Sequence, residues 1–333
     1  LIFGVPSPDT VLSILPGHKM VLEGKGYNAL FLSTAGSLGG LFFTVVIMPL
    51  CFLFLERFYG IYKGFVVFLL LVTVIFLLLV EKDLNKILWS LIIVSFAGGL
   101  GFLVLNSKFV EYPMLVLFSG LFGISTLIYS LLEPSEKLPK QDFKIDFNKR
   151  NRFFRAIFLG GIASSFCSLT PGIGNSQAGI LSTMFFKKLS SEFFIVVLGA
   201  INTINFSLSI VTFYLISRTR NGSIFVISQF SEKISFNMLL VYIAIMLIVG
   251  FFCFFLTLYL GKRIIKIVEK INIKNVNICV LVVVILIASF LTNLEGILVM
   301  IVATSLGLIC ILLEVRRVHL MSVLILPVIL NFL

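Results

Sequence analysis

The chain alternates between long runs without any charged residue and short polar connections. Runs close to the roughly 20 residues that cross a bilayer recur along the whole sequence, at 26–55, 64–80, 87–107, 112–132, 156–186, 193–217, 234–261, 275–294, 296–313 and 318–333. Because unpaired backbone groups are costly in lipid, these runs predict α-helices. A transmembrane β-barrel is excluded, since its strands would alternate apolar and polar residues with period two.

A polar connector at 133–155, EPSEKLPKQDFKIDFNKRNRFFR, divides the chain into two similar halves. GGLFFTVVIMPL from Gly39 aligns with VGFFCFFLTLYL from Val249, and three further segments align at nearly the same spacing. This pattern predicts a first repeat over 1–132, a cytoplasmic connector and a second repeat over 156–333. The second repeat has more residues before its aligned block, so we expect a hairpin and one further span upstream of Leu1.

Loop charge predicts that the two repeats are inverted. Basic residues are concentrated in the connector, in the loop 261–275 and at Arg316 and Arg317, and the positive-inside rule places all three on the cytoplasmic side. The spans 26–55 and 234–261 then cross in opposite directions. Between Arg155 and Ile234 an odd number of crossings is required, yet two apolar runs are present. The run interrupted by Pro171 is therefore expected to enter and return as a broken, re-entrant hairpin.

Composition agrees with a membrane protein. The chain is 59% hydrophobic and 12% charged, whereas soluble domains are about 25% charged. Its net charge of +11 resides in loops, so it indicates membrane orientation and no nucleic-acid partner. The five cysteines and two histidines form no ligand cluster, so we predict no metal site.

The motif SLTPGIGNSQAG, residues 168–179, is the strongest candidate for a binding site. Gly172 and Gly174 allow close backbone approach to a ligand, and Pro171 frees an upstream carbonyl. A helix that restarts near Asn175 would offer free N–H groups and a positive dipole end. The alternative is a kink packed against a neighbouring helix.

A second polar cluster, LGAINTINFSLSI at 198–210, lies inside an apolar run. Asn202 and Asn205 are three residues apart and share a helix face. Such side chains usually face a cavity or the bundle interior, although hydrogen bonding between helices is an equal alternative. No charged residue interrupts the central spans, so a coupling ion would be Na⁺ held by neutral oxygens, or H⁺ at Asp9 or upstream. The pairs Gly36/Gly40 and Gly120/Gly123 are interpreted as helix-packing positions.

Several segments together resemble one family. These are GVPSPDTVLSILPGHKMVLEGKGYNALFLSTAGSLGG at 4–40, the motif at 168–179 with LGAINTINFSLS, YPMLVLFSGLFGIS and EVRRVHLMSVLILPVIL. In this order they resemble the large permease subunit of the tripartite tricarboxylate transporters (TctA-like), in its compact archaeal-type branch. The resemblance implies a cation-coupled carboxylate transporter whose site is formed by hairpins of both repeats. It also implies a small membrane subunit and an extracytoplasmic binding protein as partners. Carried onto this sequence, the substrate-binding positions are Thr170, Pro171, Gly172, Gly174, Asn175, Asn202 and Asn205, with Pro6 and Ser7. Ser176 joins this predicted site because its hydroxyl is a neutral donor and acceptor within the motif.

The combined prediction is an all-α, polytopic protein of the plasma membrane, with an inverted repeat and broken hairpins, of the secondary-transporter type. It would move a small organic anion by alternating access, as a permease and not an enzyme, without a cofactor other than a coupling Na⁺ or H⁺. The alternatives are an intramembrane lipid-processing enzyme, which would need titratable groups at the membrane face, and a structural or assembly protein.

Overall fold

The computed structural model describes residues 17, 19–79, 81, 83–107, 109–132, 139–145, 150–169, 175, 178–179, 182, 190–217, 219, 221–231, 233–268 and 273–332. No strand occurs within these ranges, and seven helical stretches there are long and apolar enough to cross a membrane. The helices are α1 (Gly26–Leu79), α2 (Leu84–Asn106), α3 (Pro113–Phe118), α4 (Ser125–Leu132), α5 (Arg150–Leu169), α6 (Ser191–Ile216), α7 (Gly222–Phe230), α8 (Phe236–Val268), α9 (Ile273–Leu291), α10 (Leu294–Leu312) and α11 (Ser322–Phe332). A π-helix (Ser119–Ile124) joins α3 to α4, and a 3₁₀ helix (Arg317–Met321) precedes α11. The protein is an all-α polytopic membrane protein.

Helix α1 differs from the prediction of two separate spans at 26–55 and 64–80. The structure has one continuous helix of 54 residues over this stretch. At 1.5 Å per residue it is about 80 Å long. The residues 56–63 contain no proline, and Glu56, Arg57 and Lys63 are good helix formers, so their polarity alone does not end the helix.

The chain forms two compact units, each of which takes residues from both halves of the sequence. Unit 1 contains Leu12–Phe65 and Leu138–Glu269, and unit 2 contains Val66–Lys137 and Lys270–Leu333. The starts of three helices recur along the chain. Gly26 and Phe236 are separated by the same number of residues as Leu84 and Leu294, and Pro113 and Ser322 by one fewer.

In unit 1, glycines bring α1 and α6 into backbone contact. A Cβ atom at Gly36 would overlap the carbonyl oxygen of Val196, and one at Gly199 would overlap that of Ser33. A Cβ at Gly40 would lie 2.8 Å from the carbonyl oxygen of Ala200. The predicted packing role of Gly36 and Gly40 is confirmed. Because the contacts advance in the same chain direction on both helices, α1 and α6 run parallel.

Helix α8 runs antiparallel to the first part of α1. Gly250 lies against Leu41, and Gly261 lies against Leu30. At the other end of the pair, the rings of Phe52 and Phe236 are 5.9 Å apart. The start of α1 therefore lies beside the end of α8 in unit 1.

The described part of the connector is held firmly against the same end of unit 1. Gln141 is only 8% exposed. Its Oε1 accepts a hydrogen bond from the Gly26 N–H at 2.8 Å, and its Nε2 donates to the Val21 carbonyl at 2.8 Å. The ring of Phe143 lies 5.4 Å from that of Tyr27. The last residues assigned to the connector form the first turns of α5, because the helix already begins at Arg150.

Unit 2 has its core between α2, the segment 113–132, α10 and α11. Glycines again mark the closest approaches. A Cβ at Gly98 of α2 would lie 2.7 Å from Leu326 of α11, and one at Gly120 would lie 2.7 Å from Ala303 of α10. No described residue lies within 4 Å of a Cβ placed at Gly123, so its predicted packing role is wrong. The π-helix turns it away from the face that carries Gly120.

A buried polar cluster joins the end of α1 to the 3₁₀ helix in unit 2. Glu81 is 7% exposed and His319 is 2% exposed. Glu81 Oε1 lies 3.2 Å from His319 Nε2, 3.6 Å from Arg316 Nε and 3.4 Å from the Arg316 backbone nitrogen. A single carboxylate thus holds three groups of this segment.

Candidate functional site

The polar cluster on α6 contacts Asn175 of the motif 168–179 inside unit 1. Asn202 and Asn205 lie near the middle of the 26-residue helix α6. Asn205 Nδ2 donates a hydrogen bond to Asn175 Oδ1 at 2.5 Å. Asn175 is helical and 7% exposed. The structure therefore brings together the three amide residues that the sequence singled out in two separate motifs.

Polar atoms at this position are buried without partners. Asn202 Oδ1, Asn205 Oδ1 and Ser165 Oγ have no hydrogen-bond partner among the residues that the structure describes. Leaving a buried acceptor unpaired costs about 1–3 kcal/mol. Such atoms are usually paired with protein or ordered water, so the two unpaired amide oxygens on one face of α6 favour a site that receives a polar ligand or ion.

Helix α5 is fixed against α6 so that its end lies beside the amides. A Cβ at Gly160 would lie 2.9 Å from the Val197 carbonyl oxygen. One turn later Ser164 Oγ donates to the Ile201 carbonyl at 3.0 Å. Both contacts advance together, so α5 and α6 run parallel and begin at the same end of the pair. A re-entrant hairpin requires this arrangement, because the chain leaves α5 and must return before α6 starts.

The polar contacts continue along α6 beyond the amides. Thr44 Oγ1 of α1 and Ser207 Oγ share a hydrogen bond of 2.7 Å. Asn221 Nδ2 donates to Ser209 Oγ at 2.5 Å, while its Oδ1 accepts from the Ile224 N–H and caps α7. Sequence reasoning missed Thr44, Ser164 and Asn221 as partners. Isolated hydroxyls in apolar helices also bond their own backbone, so only the packing of α1, α5 and α6 selects Thr44 and Ser164. Asn221 lies outside these helices, at the N-cap of α7.

Most of the predicted site residues are not among those that the structure describes. Thr170, Pro171, Gly172, Gly174, Ser176, Pro6 and Ser7 lie outside the described residues, as does Asp9. Helix α5 ends at Leu169, the second residue of the motif 168–179. Asn175, Asn202 and Asn205 are thus the predicted positions that the structure brings into one site.

The site is built from neutral groups. Its described polar members are the amides of Asn175, Asn202 and Asn205 and the hydroxyls around them. Within the described residues, no group of three or more His, Cys, Asp and Glu side chains is placed to hold a metal ion. Amides and hydroxyls both donate and accept, so this arrangement suits reversible binding of a small polar solute or a weakly held cation.

Seven described helical stretches are long and apolar enough to cross a membrane, and unit 1 contains a cluster of buried neutral polar groups. These features define the class as an α-helical membrane protein with a polar site in its interior. The chain matches the Tripartite tricarboxylate transporter TctA family over residues 1–322. It belongs to this family of membrane transporters.

An uncharacterised protein of Methanocaldococcus jannaschii is 28% identical over an alignment of 342 positions, which covers 99% of this chain and 83% of the relative. No solved structure matches the chain.

Proposed function

We propose that the protein is the permease of a secondary transporter in the cell membrane that moves di- or tricarboxylates together with a cation. The family supports the transporter class and the tricarboxylate substrate. The buried amide cluster at the middle of α6 supports a solute site within the membrane. Asn175, Asn202 and Asn205 are the described residues that would contact the solute or its ion.

The proposal that a cation is co-transported rests on the unpaired oxygens of Asn202 and Asn205. An amide oxygen carries a partial negative charge and only accepts hydrogen bonds. It therefore attracts a cation and repels the oxygen of a carboxylate. A carboxylate entering a site whose described groups are neutral therefore needs a co-bound cation to balance its charge. Interrupted helices of transporters hold Na⁺ with neutral carbonyl oxygens, so Na⁺ is the ion that we propose.

Alternating access would follow from an inverted repeat. The recurring helix starts and the antiparallel course of α1 and α8 support such a repeat. In repeats of this kind, one part of the protein moves around a site near the membrane midplane. The tripartite family also supports a small membrane subunit and an extracytoplasmic binding protein as partners of this permease.

The test is ligand-dependent thermal stabilisation of the purified full chain in detergent. Citrate, tricarballylate and succinate are added with NaCl or with choline chloride. A ligand at 100 times its Kd adds about 2.7 kcal/mol of stability, so binding raises the melting temperature. We expect a shift with at least one carboxylate that requires Na⁺.

Two variants distinguish the site from general damage. Asn205→Ala removes the bond to Asn175 and should abolish the shift. Asn277→Ala removes another buried amide, which donates to Ser130 Oγ at 2.8 Å in unit 2, and should keep the shift. A Na⁺-independent shift would contradict the ion, and an equal shift in Asn205→Ala would contradict the site. No shift with any carboxylate would overturn the substrate class.

A further inference from the structure

Unit 1 contains a second polar feature, a cavity between α1, α6 and α8. Its volume is about 220 Å³. Hydroxyl and thiol side chains line it among apolar ones, namely Thr34, Ser37, Thr203, Cys253 and Thr257. Cavities that stay empty are lined by apolar groups, whereas a roomy cavity with several polar partners can hold water, so this lining favours water or a polar ligand.

The hydroxyls of this cavity are only partly used by the protein. Ser37 Oγ donates to the Gly199 carbonyl at 3.1 Å, and Thr34 Oγ1 donates to the Leu30 carbonyl at 2.9 Å. Both keep acceptor capacity. Thr203 and Thr257 make no side-chain hydrogen bond to any described residue and face the cavity. Their hydroxyls can therefore donate to and accept from water or a ligand in the cavity.

The cavity borders the helix surface that carries the amide cluster. Each residue advances about 100° around an α-helix, so Asn202 lies between Asn205 and Thr203 on the surface of α6. Asn205 contacts Asn175 on one side, and Thr203 lines the cavity on the other. Asn202, whose Oδ1 is unpaired, therefore connects the two polar regions.

Basic residues surround the end of unit 1 nearest the cavity. Thr257 is five residues before Lys262 on α8, about 8 Å along the helix. Lys262 and Lys266 place their Nζ atoms 5.6 and 5.7 Å from the Phe143 ring centroid. Arg263 stacks on Tyr259 at 4.7 Å. All three cations are exposed, and such a group raises the local concentration of anions.

We propose that the cavity is a water-filled vestibule that admits small anions from the basic, cytoplasmic end of unit 1 towards Asn202. This inference rests on the proposed transport function for the identity of the anion, since hydroxyls and lysines fit carboxylates as well as other small anions. Its access route is a separate property that can be measured without transport.

Cys253 provides the probe, and Cys279 provides the control. Both thiols are exposed in the structure, but Cys253 lines the cavity whereas Cys279 lies on α9 in unit 2. Full-length protein in membrane vesicles of either orientation is treated with anionic sulfonatoethyl methanethiosulfonate or its cationic trimethylammonium analogue. The thiolate attacks the reagent sulfur, forms a mixed disulfide and releases methanesulfinate. Modification of each cysteine is followed by peptide mass spectrometry.

We expect Cys253 to react at least 10-fold faster than Cys279, from the cytoplasmic side, and faster with the anionic than with the cationic reagent. Equal rates at the two cysteines, or reaction from the other side only, would overturn the vestibule. A preference for the cationic reagent would overturn its role for anions.

Shape-conserving variants separate water from mere exposure. Thr203→Val with Thr257→Val removes two hydroxyls and should slow the labelling of Cys253 several-fold. Thr73→Val in unit 2, where the hydroxyl bonds Leu69 at 2.8 Å, should leave the rate unchanged. Unchanged labelling in the double variant contradicts the proposal. Carboxylate-induced thermal shifts on the same preparations report the transport site separately, so failure of either idea is visible alone.

Discussion

Asn205 Nδ2 on α6 donates a hydrogen bond of 2.5 Å to Oδ1 of Asn175, which lies in the motif 168–179. The two residues are 30 positions apart, and α5 and α6 bring them together in the interior of unit 1. This contact ties Asn175 to the middle of α6. The candidate site therefore draws its amides from two separate segments of the chain.

The contact predicts energetic coupling between the two amides. Asn175→Ala and Asn205→Ala should each destabilise the protein, but the double variant should lose less than the sum. Interhelical hydrogen bonds in membranes average about 0.6 kcal/mol and reach about 1.7, so a coupling of this size is expected. Unfolding in mixed micelles measures it. Additive effects would show that the amides do not interact in the folded protein.

The glycine contacts predict large effects from the smallest substitution. Gly36→Ala and Gly199→Ala place a Cβ atom against backbone carbonyl oxygens, which cannot rotate away. Each should cost about 1–3 kcal/mol, as overpacking does, and lower the melting temperature. Gly99→Ala is the control, because among the residues that the structure describes nothing lies within 4 Å of a Cβ there; alanine should stabilise that helix slightly. Equal melting temperatures for the three variants would contradict the close packing.

The Glu81 cluster predicts a strong contrast between two carboxylates of unit 2. Glu81→Ala leaves the buried His319 and the Arg316 N–H without their acceptor and should cost about 2–4 kcal/mol. The Glu314 side chain also forms an ion pair, 3.1 Å from Lys86 Nζ, but is 81% exposed. Its removal should cost less than about 0.5 kcal/mol. Denaturant titration of both variants checks the difference, and comparable losses would refute a structural role for Glu81.

Gln141 predicts a protease-sensitive connector once its hydrogen bonds are lost. Gln141→Ala frees the Gly26 N–H and the Val21 carbonyl, a local loss of about 1–3 kcal/mol. Cleavage by trypsin after Lys140 and Lys144 should then accelerate about 10-fold or more, since 1.4 kcal/mol corresponds to a factor of ten. Gln229→Ala, at an exposed position on α7, is the matched control. Resistance equal to wild type would mean that other contacts hold the connector.

The hydrophobic pattern was sufficient to predict the membrane-length helices other than the full extent of α1, because in lipid each span must satisfy its own backbone. The three amides were identifiable for a related reason, as uncharged polar groups are conspicuous in apolar runs. Partners such as Thr44 and Ser164 were not, since a single hydroxyl carries no pattern until two helices meet. The continuous helix α1 was missed because polar residues at 56–63 indicate a loop only if something ends the helix there.

Ser37 and Gly199, which share a hydrogen bond, are 162 residues apart in the sequence. This separation has a consequence for how the protein is made. At about 5–20 residues per second, α1 is inserted roughly 8–30 s before α6 emerges. During that interval the glycine face of α1 has only lipid, or the insertion machinery, beside it. Newly made chains therefore pass through a stage in which the backbone at the glycine face of α1 is exposed until α6 packs against it. Another helix that bound this face during that interval would compete with correct assembly of the protein.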